Sequence, residues 1–121
     1  MNIELSNRQP IIRRFKDIAG IATSHRAGIK KCLATMADKI GPATQIALTT
    51  FSPDESVESH LHPSMDEHFI ILSGSLRMTL GNETFDLGPD TYLLIPAGMS
   101  HSMTALEPSE FITIGIVNRD A

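Results

Sequence analysis

A chain of 121 residues with 41% hydrophobic content and a mean hydropathy of −0.01 forms one domain, long enough to bury about two-thirds of its unfolded surface without cross-links. Its single cysteine, Cys32, excludes an internal disulfide framework and suits a reducing compartment. A net charge of −4 with one Tyr and no Trp argues against a nucleic-acid partner. Residues 1–6 contain no long apolar run, so neither a secretory leader nor a membrane partner is expected, and the expected location is cytoplasmic.

Charge is uneven along the chain. Residues 1–39 hold eight of the ten Lys and Arg against three acidic residues, a net of +5, which leaves −9 for the remainder. Such a segment serves either as a solvated arm over an acidic barrel or as a face for an anionic, for instance phosphorylated, substrate. Periodicity is weak over residues 1–28, which we assign as an irregular N-terminal arm. Pro10-Ile11-Ile12 suggests a short edge strand, residues 13–18 a helical turn, and Gly20, Gly28 and Ser24-His25-Arg26 a loop.

From residue 29 to 121 the pattern is β. Residues 29–36 alternate loosely, Gly41-Pro42 breaks the chain, and residues 44–51 form a strand rich in β-branched side chains. Ser52-Pro53-Asp54-Glu55 is a turn by composition, followed by strands at 58–62 and 67–73. Residues 75–80 and 83–87 alternate on either side of Gly81-Asn82, a hairpin with a tight type II′ or I′ turn. Strands follow at 91–95, 100–106 and 111–117. This spacing, with Gly and Pro punctuation and no long helix, predicts an all-β sandwich or barrel.

The chemistry concentrates in His60-Leu61-His62-Pro63-Ser64-Met65-Asp66-Glu67 and in Pro96-x-Gly98-x-x-His101. Side chains two apart on a strand share a face, so His60 and His62 stand side by side. Glu67, after a proline-containing connection, returns its carboxylate to the same place, and His101 adds a third imidazole after the Pro-Ala-Gly turn. Three neutral imidazoles and a carboxylate suit one divalent transition metal ion per chain, whether Fe, Mn, Ni, Zn, Co or Cu, with coordination positions left for water or substrate. His68, adjacent to Glu67, points to the opposite face.

These residues resemble the two motifs of the cupin family. His60, His62, Glu67 and Gly74 match the first motif, and Pro96, Gly98 and His101 the second. Three positions depart from the pattern. Asp54 stands where a glycine is usual, Gly88 lies eight residues before Pro96 where six is usual, and Ala105 replaces the closing Asn. None of the three is a ligand, so they bear on loop geometry and pocket shape. The resemblance implies a small single-domain cupin, a double-stranded β-helix or jelly-roll barrel with a three-His, one-Glu metal site. It also implies a homodimer, with the N-terminal arm crossing to the partner.

Strand parity places Phe69 and Ile71 on Glu67's face and Met103 and Ala105 on that of His101, giving an apolar lining. Thr44 or Gln45 adds a polar contact, and Met65 stands at the mouth. His25 is a candidate general base and Tyr92 a candidate for orienting a substrate. A lone loop histidine is ordinarily just exposed, and a lone strand tyrosine ordinarily belongs to an interface. Cys32 is expected to be a buried apolar residue. The functional expectation is a metal-dependent cupin acting on or binding a small polar ligand, sugar-like or nucleotide-sugar-like. As an enzyme it would be an isomerase, an epimerase or an iron-dependent dioxygenase; the alternative is a non-catalytic ligand-binding cupin.

Overall fold

The computed structural model describes residues 9–118. The start of the assigned arm, with Glu4 and Arg8, lies outside the described residues. Ten strands form among them: β1 Ile21–Ala22, β2 Ile29–Thr35, β3 Ala43–Phe51, β4 Ser56–His60, β5 Met65–Ser73, β6 Leu76–Leu80, β7 Glu83–Leu87, β8 Thr91–Ile95, β9 His101–Ala105 and β10 Ser109–Val117. They make two antiparallel sheets, one in the order β1-β2-β3-β10-β5-β8 and the other β4-β9-β6-β7. The fold is all-β, as the spacing predicts, and its two sheets form the jelly roll that the cupin resemblance implies. No helix among the described residues is long and apolar enough to cross a membrane.

Two local expectations shift. Residues 10–12 form no strand, and Ile11 and Ile12 are exposed. The edge of β2 that an arm strand would use is taken by β1, where Ile21 and Ala22 pair with Lys30 and Ile29. The arm is instead pinned by side chains. The Arg13 guanidinium donates to the Asp38 carboxylate at 2.8 Å and to the Leu33 carbonyl at 2.7 Å, and Lys31 Nζ donates to the Phe15 carbonyl at 2.8 Å. The helical turn between 13 and 18 is a 3-10 turn, Phe15–Asp17. The β6–β7 hairpin turns on Gly81 at φ 60°, while Asn82 keeps a negative φ. Positive φ at the first central residue alone is the type II′ pattern.

The inner faces of the two sheets meet over Phe51, Phe69, Phe111, Ile71, Leu76, Met78 and Ile95, all almost wholly buried. Phe111 packs edge-on to Phe51 at 5.3 Å and stacks on Phe69 at 5.5 Å between ring centroids. Register decides where the apolar filling stops. On β5 the inward residues run Ile71, Phe69, Glu67, and on β9 they run Ala105, Met103, His101. One end of the barrel is therefore packed with hydrocarbon and the other is lined by titratable groups.

Candidate metal centre

His60 closes β4 and His101 opens β9, and they are register partners, so neighbouring strands bring their rings to 4.3 Å between centroids. β4 ends at His60, which leaves His62 just beyond the strand. Its ring still turns toward the others, 5.1 Å from that of His60 and 5.5 Å from that of His101. One ring nitrogen from each of the three lies within 4.8 Å of the other two. Glu67 enters from β5 in the opposite sheet, with carboxylate oxygens 3.4 Å from His62 Nε2 and 4.0 Å from His101 Nε2.

The hydrogen bonds behind the rings fix which nitrogen faces inward. His60 Nδ1 sits 2.8 Å from the Glu58 carbonyl and His101 Nδ1 3.0 Å from that of Met99. A carbonyl only accepts, so each Nδ1 carries the proton and each Nε2 presents a lone pair to the centre. The Nε2 atoms of His62 and His101 are buried and have no hydrogen-bond partner among the described residues. Burial, followed by the charge of His60, pushes the His62 pKa down; burial also lowers that of His101, against the opposing pull of its Met99 hydrogen bond. Burial raises the Glu67 pKa, while His101 and His60 pull it back. The inward Nε2 atoms of His60 and His101 and the unpartnered Nε2 of His62 thus converge beside the Glu67 carboxylate. Buried acceptors facing one another are costly unless a cation joins them, so the donor set fits a divalent transition metal.

The centre opens into a cavity of 370 Å³. Of the lining expected from strand parity, Phe69 and Met103 are there, whereas Ile71 and Ala105 lie deeper, in the packed core. Thr44 and Gln45 both reach the cavity because β3 is irregular where Ile116 pairs with Ala43. Met65 also lines it, accepting from Thr44 Oγ1 at 3.2 Å. Both side chains crowd the inward face of Gly115, where a Cβ would collide with them.

His25 lines the cavity as well, from the loop between β1 and β2. That loop is tied to the turn between β3 and β4. Glu55 anchors it by accepting from the Gly28 amide at 2.6 Å and the Ser52 amide at 2.8 Å. The His25 ring, although largely solvent-exposed, tilts against His60 at 4.4 Å. Partial desolvation there, then the charges of His60, His62 and Lys30, lowers its pKa. Tyr92 is elsewhere. It stands on the outer face of the larger sheet, 60% exposed, with its hydroxyl 2.6 Å from His68 Nδ1, and does not reach the cavity. His68 is on that outer face too, as parity requires. Cys32 is half-buried, short of the full burial expected, and Gln45 Nε2 lies 3.5 Å from its Sγ.

Sequence reasoning did not place Lys30, Thr49 and Thr113 in the cavity. The signal for the first lay in pairing: Lys30 is level with Thr49, whose face points inward. That register is invisible until β2 and β3 are aligned.

Comparison with known proteins agrees with this architecture. The family model described as Cupin domain matches residues 47–115. Mannose-1-phosphate guanylyltransferase ManC of Salmonella typhimurium is 29% identical over 63 residues, 52% of this chain but 13% of that protein. Three solved structures share the fold. A predicted oxalate decarboxylase from Thermotoga maritima has a TM-score of 0.80 at 21% identity, covering 88% of this chain and 99% of its own. The polyketide cyclase RemF from Streptomyces resistomycificus has 0.79 at 18%, covering 93% and 83%. KdgF from Halomonas sp. has 0.73 at 21%, covering 87% and 93%.

Proposed function

The chain belongs to the Cupin domain family, and on that premise we propose that it binds one divalent transition metal through His60, His62, Glu67 and His101 and uses it to act on a small polar, sugar-like ligand in the barrel cavity. The observation that carries this is the pair of buried, partnerless Nε2 atoms of His62 and His101 beside the Glu67 carboxylate. When bound, the ion supplies Lewis acidity, or dioxygen chemistry if it is iron. The chain's own contribution is to hold the inward lone pairs by the Glu58 and Met99 carbonyls and to exclude water with Phe69 and Met103. His25, with its lowered pKa, stays neutral at pH 7 and is able to take a proton from a ligand in the cavity. That favours proton-transfer chemistry, isomerisation or epimerisation. The stretch resembling a sugar-phosphate guanylyltransferase supports a carbohydrate ligand. A second reading, oxygen chemistry at iron or binding without turnover, is favoured by the aromatic wall of Phe51, Phe69 and Phe111.

Metal analysis of protein purified without a tag or chelator tests the assignment. About one ion per chain is expected in the wild type and in His68→Ala, and a sharp loss in His62→Ala. Equal metal in His62→Ala and wild type would remove His62 from the ligand set. Iron would move the reading to oxygen chemistry.

We also propose a homodimer formed through the outer face of the six-stranded sheet, with the N-terminal arm ahead of β1 directed toward the partner. Ile70, Leu72, Leu94 and Tyr92 are 37%, 40%, 39% and 60% exposed on adjacent strands there, an apolar patch of the kind that marks interfaces. Light scattering of Leu72→Glu should report a monomer; an unchanged mass would place the contact elsewhere.

A further inference from the structure

We propose that Lys30 and Gln45 form an anion-reading subsite, so that the ligand of this cavity carries a carboxylate or phosphate remote from the oxygens it presents to the metal. The inference deepens the metal-site reading and rests on it for the position of the ligand's other end.

Lys30 is a half-buried lysine on the inner face of β2, level with Thr49, and it lines the cavity. Its Nζ donates to Gln45 Oε1 at 3.3 Å. The inner face of β3 has only Ala47 between Thr49 and Gln45, which leaves room for the two long side chains to meet. Among the described residues no carboxylate lies within ion-pair distance of Lys30. Among the described residues Glu67 is the one acidic residue of the cavity wall, and its carboxylate lies beside His62 and His101, away from Lys30. A partly buried ammonium with a neutral amide as partner is one charge short of compensation.

The separation suits a short ligand. Gln45 and Glu67 both pair with Gly115, so they stand two strand spacings apart, about 10 Å between backbones. Gly115 places no side chain between them. A ligand with chelating oxygens at one end and an anionic tail a few bonds away bridges that row, whereas a neutral tail leaves the ammonium uncompensated.

Calorimetric titration of metal-loaded and chelator-treated protein with two probe pairs tests this. The first pair is 2-hydroxyglutarate against 2-hydroxyvalerate, equal in length and differing in the remote carboxylate. The second is 3-phosphoglycerate against glycerate, which differ in the phosphate. Wild type should prefer at least one tailed probe by about tenfold, and the preferred pair identifies the tail. Lys30→Met should lose that preference while keeping wild-type metal content, and Lys30→Arg should retain most of it. Equal binding of tailed and tailless probes by wild type, or an undiminished preference in Lys30→Met, overturns the subsite. Wild type that takes up no metal yet still prefers a tailed probe refutes the metal site and leaves the subsite standing.

Discussion

At one end of the barrel Ile71, Leu76, Met78 and Ala105, none of them more than marginally exposed, pack against one another. At the other end, on the same strands, His60, Glu67 and His101 converge with His62 and leave lone pairs unmatched. On β5 the change from Ile71 to Glu67, and on β9 from Ala105 to His101, takes four residues, about 13 Å of strand. The first end gives up water entirely and gains the burial energy that holds the sheets together. The second end spends part of that energy on desolvated acceptors, which a cation would repay. Stability and metal affinity therefore reside in different residues of common strands and should separate under mutation.

The largest effect should come from the packed end. Leu76 is fully buried in the core and remote from the histidines, so Leu76→Ala is expected to lose about 2–5 kcal/mol in denaturant unfolding. The folded fraction should still take up metal as wild type does. At the open end the order reverses. Saturating metal at a hundredfold excess over Kd should stabilise wild type by about 2.7 kcal/mol. His101→Ala should abolish that gain while changing the stability of the metal-free protein far less, as thermal scans with and without metal would report. A His101→Ala protein that loses as much metal-free stability as Leu76→Ala would show that the two ends are not separable.

Gly115 sits where the two regions meet, with Thr44 and Met65 against its inward face. Gly115→Ala forces both side chains away and costs about 1–3 kcal/mol as overpacking. Because the displaced groups line the cavity, ligand binding should weaken with metal content intact. Loss of metal would mean that the strain propagates to Glu67, its register partner on β5.

Much of this division was legible in the sequence, for a definable reason. Alternation fixes the face of each side chain within a strand, so Glu67 with Phe69, and His101 with Met103, followed from period two. The same rule put His68 outside. What alternation cannot supply is depth along the barrel, so Ile71 and Ala105 share the right face yet belong to the core. Nor does it supply register between strands distant in sequence, which is what sets Lys30 in the cavity wall and Tyr92 on the outer face. Hydroxyl and imidazole chemistry in Tyr92 and His68 are satisfied by each other on the outer face, a pairing set by the β5–β8 register. The arm segment 10–12 has strand composition, but the edge it needs is occupied by β1.

The smallest predicted effect concerns pH, and its sign follows from which groups are desolvated. In the folded, metal-free protein His25, His62 and His101 have pKa values below the ordinary 6.5, so the unfolded chain binds more protons in that window. Stability then falls as pH drops below 6.5. Glu67 acts in the other direction. Its pKa is raised above the ordinary 4.5, so its contribution is present at low pH and is lost as pH rises through the folded value. Thermal unfolding of chelator-treated protein between pH 7.5 and about 5 should therefore show a decline on acidification, softened by Glu67. Glu67→Gln removes the softening and should steepen the decline. Bound metal should hold the stability curve flat until the imidazoles protonate and the ion leaves. A metal-free protein whose stability rises on acidification from pH 6.5 would mean that the imidazoles are not the desolvated neutral groups their geometry describes, and the contrast between the two ends of the barrel would lose its electrostatic basis.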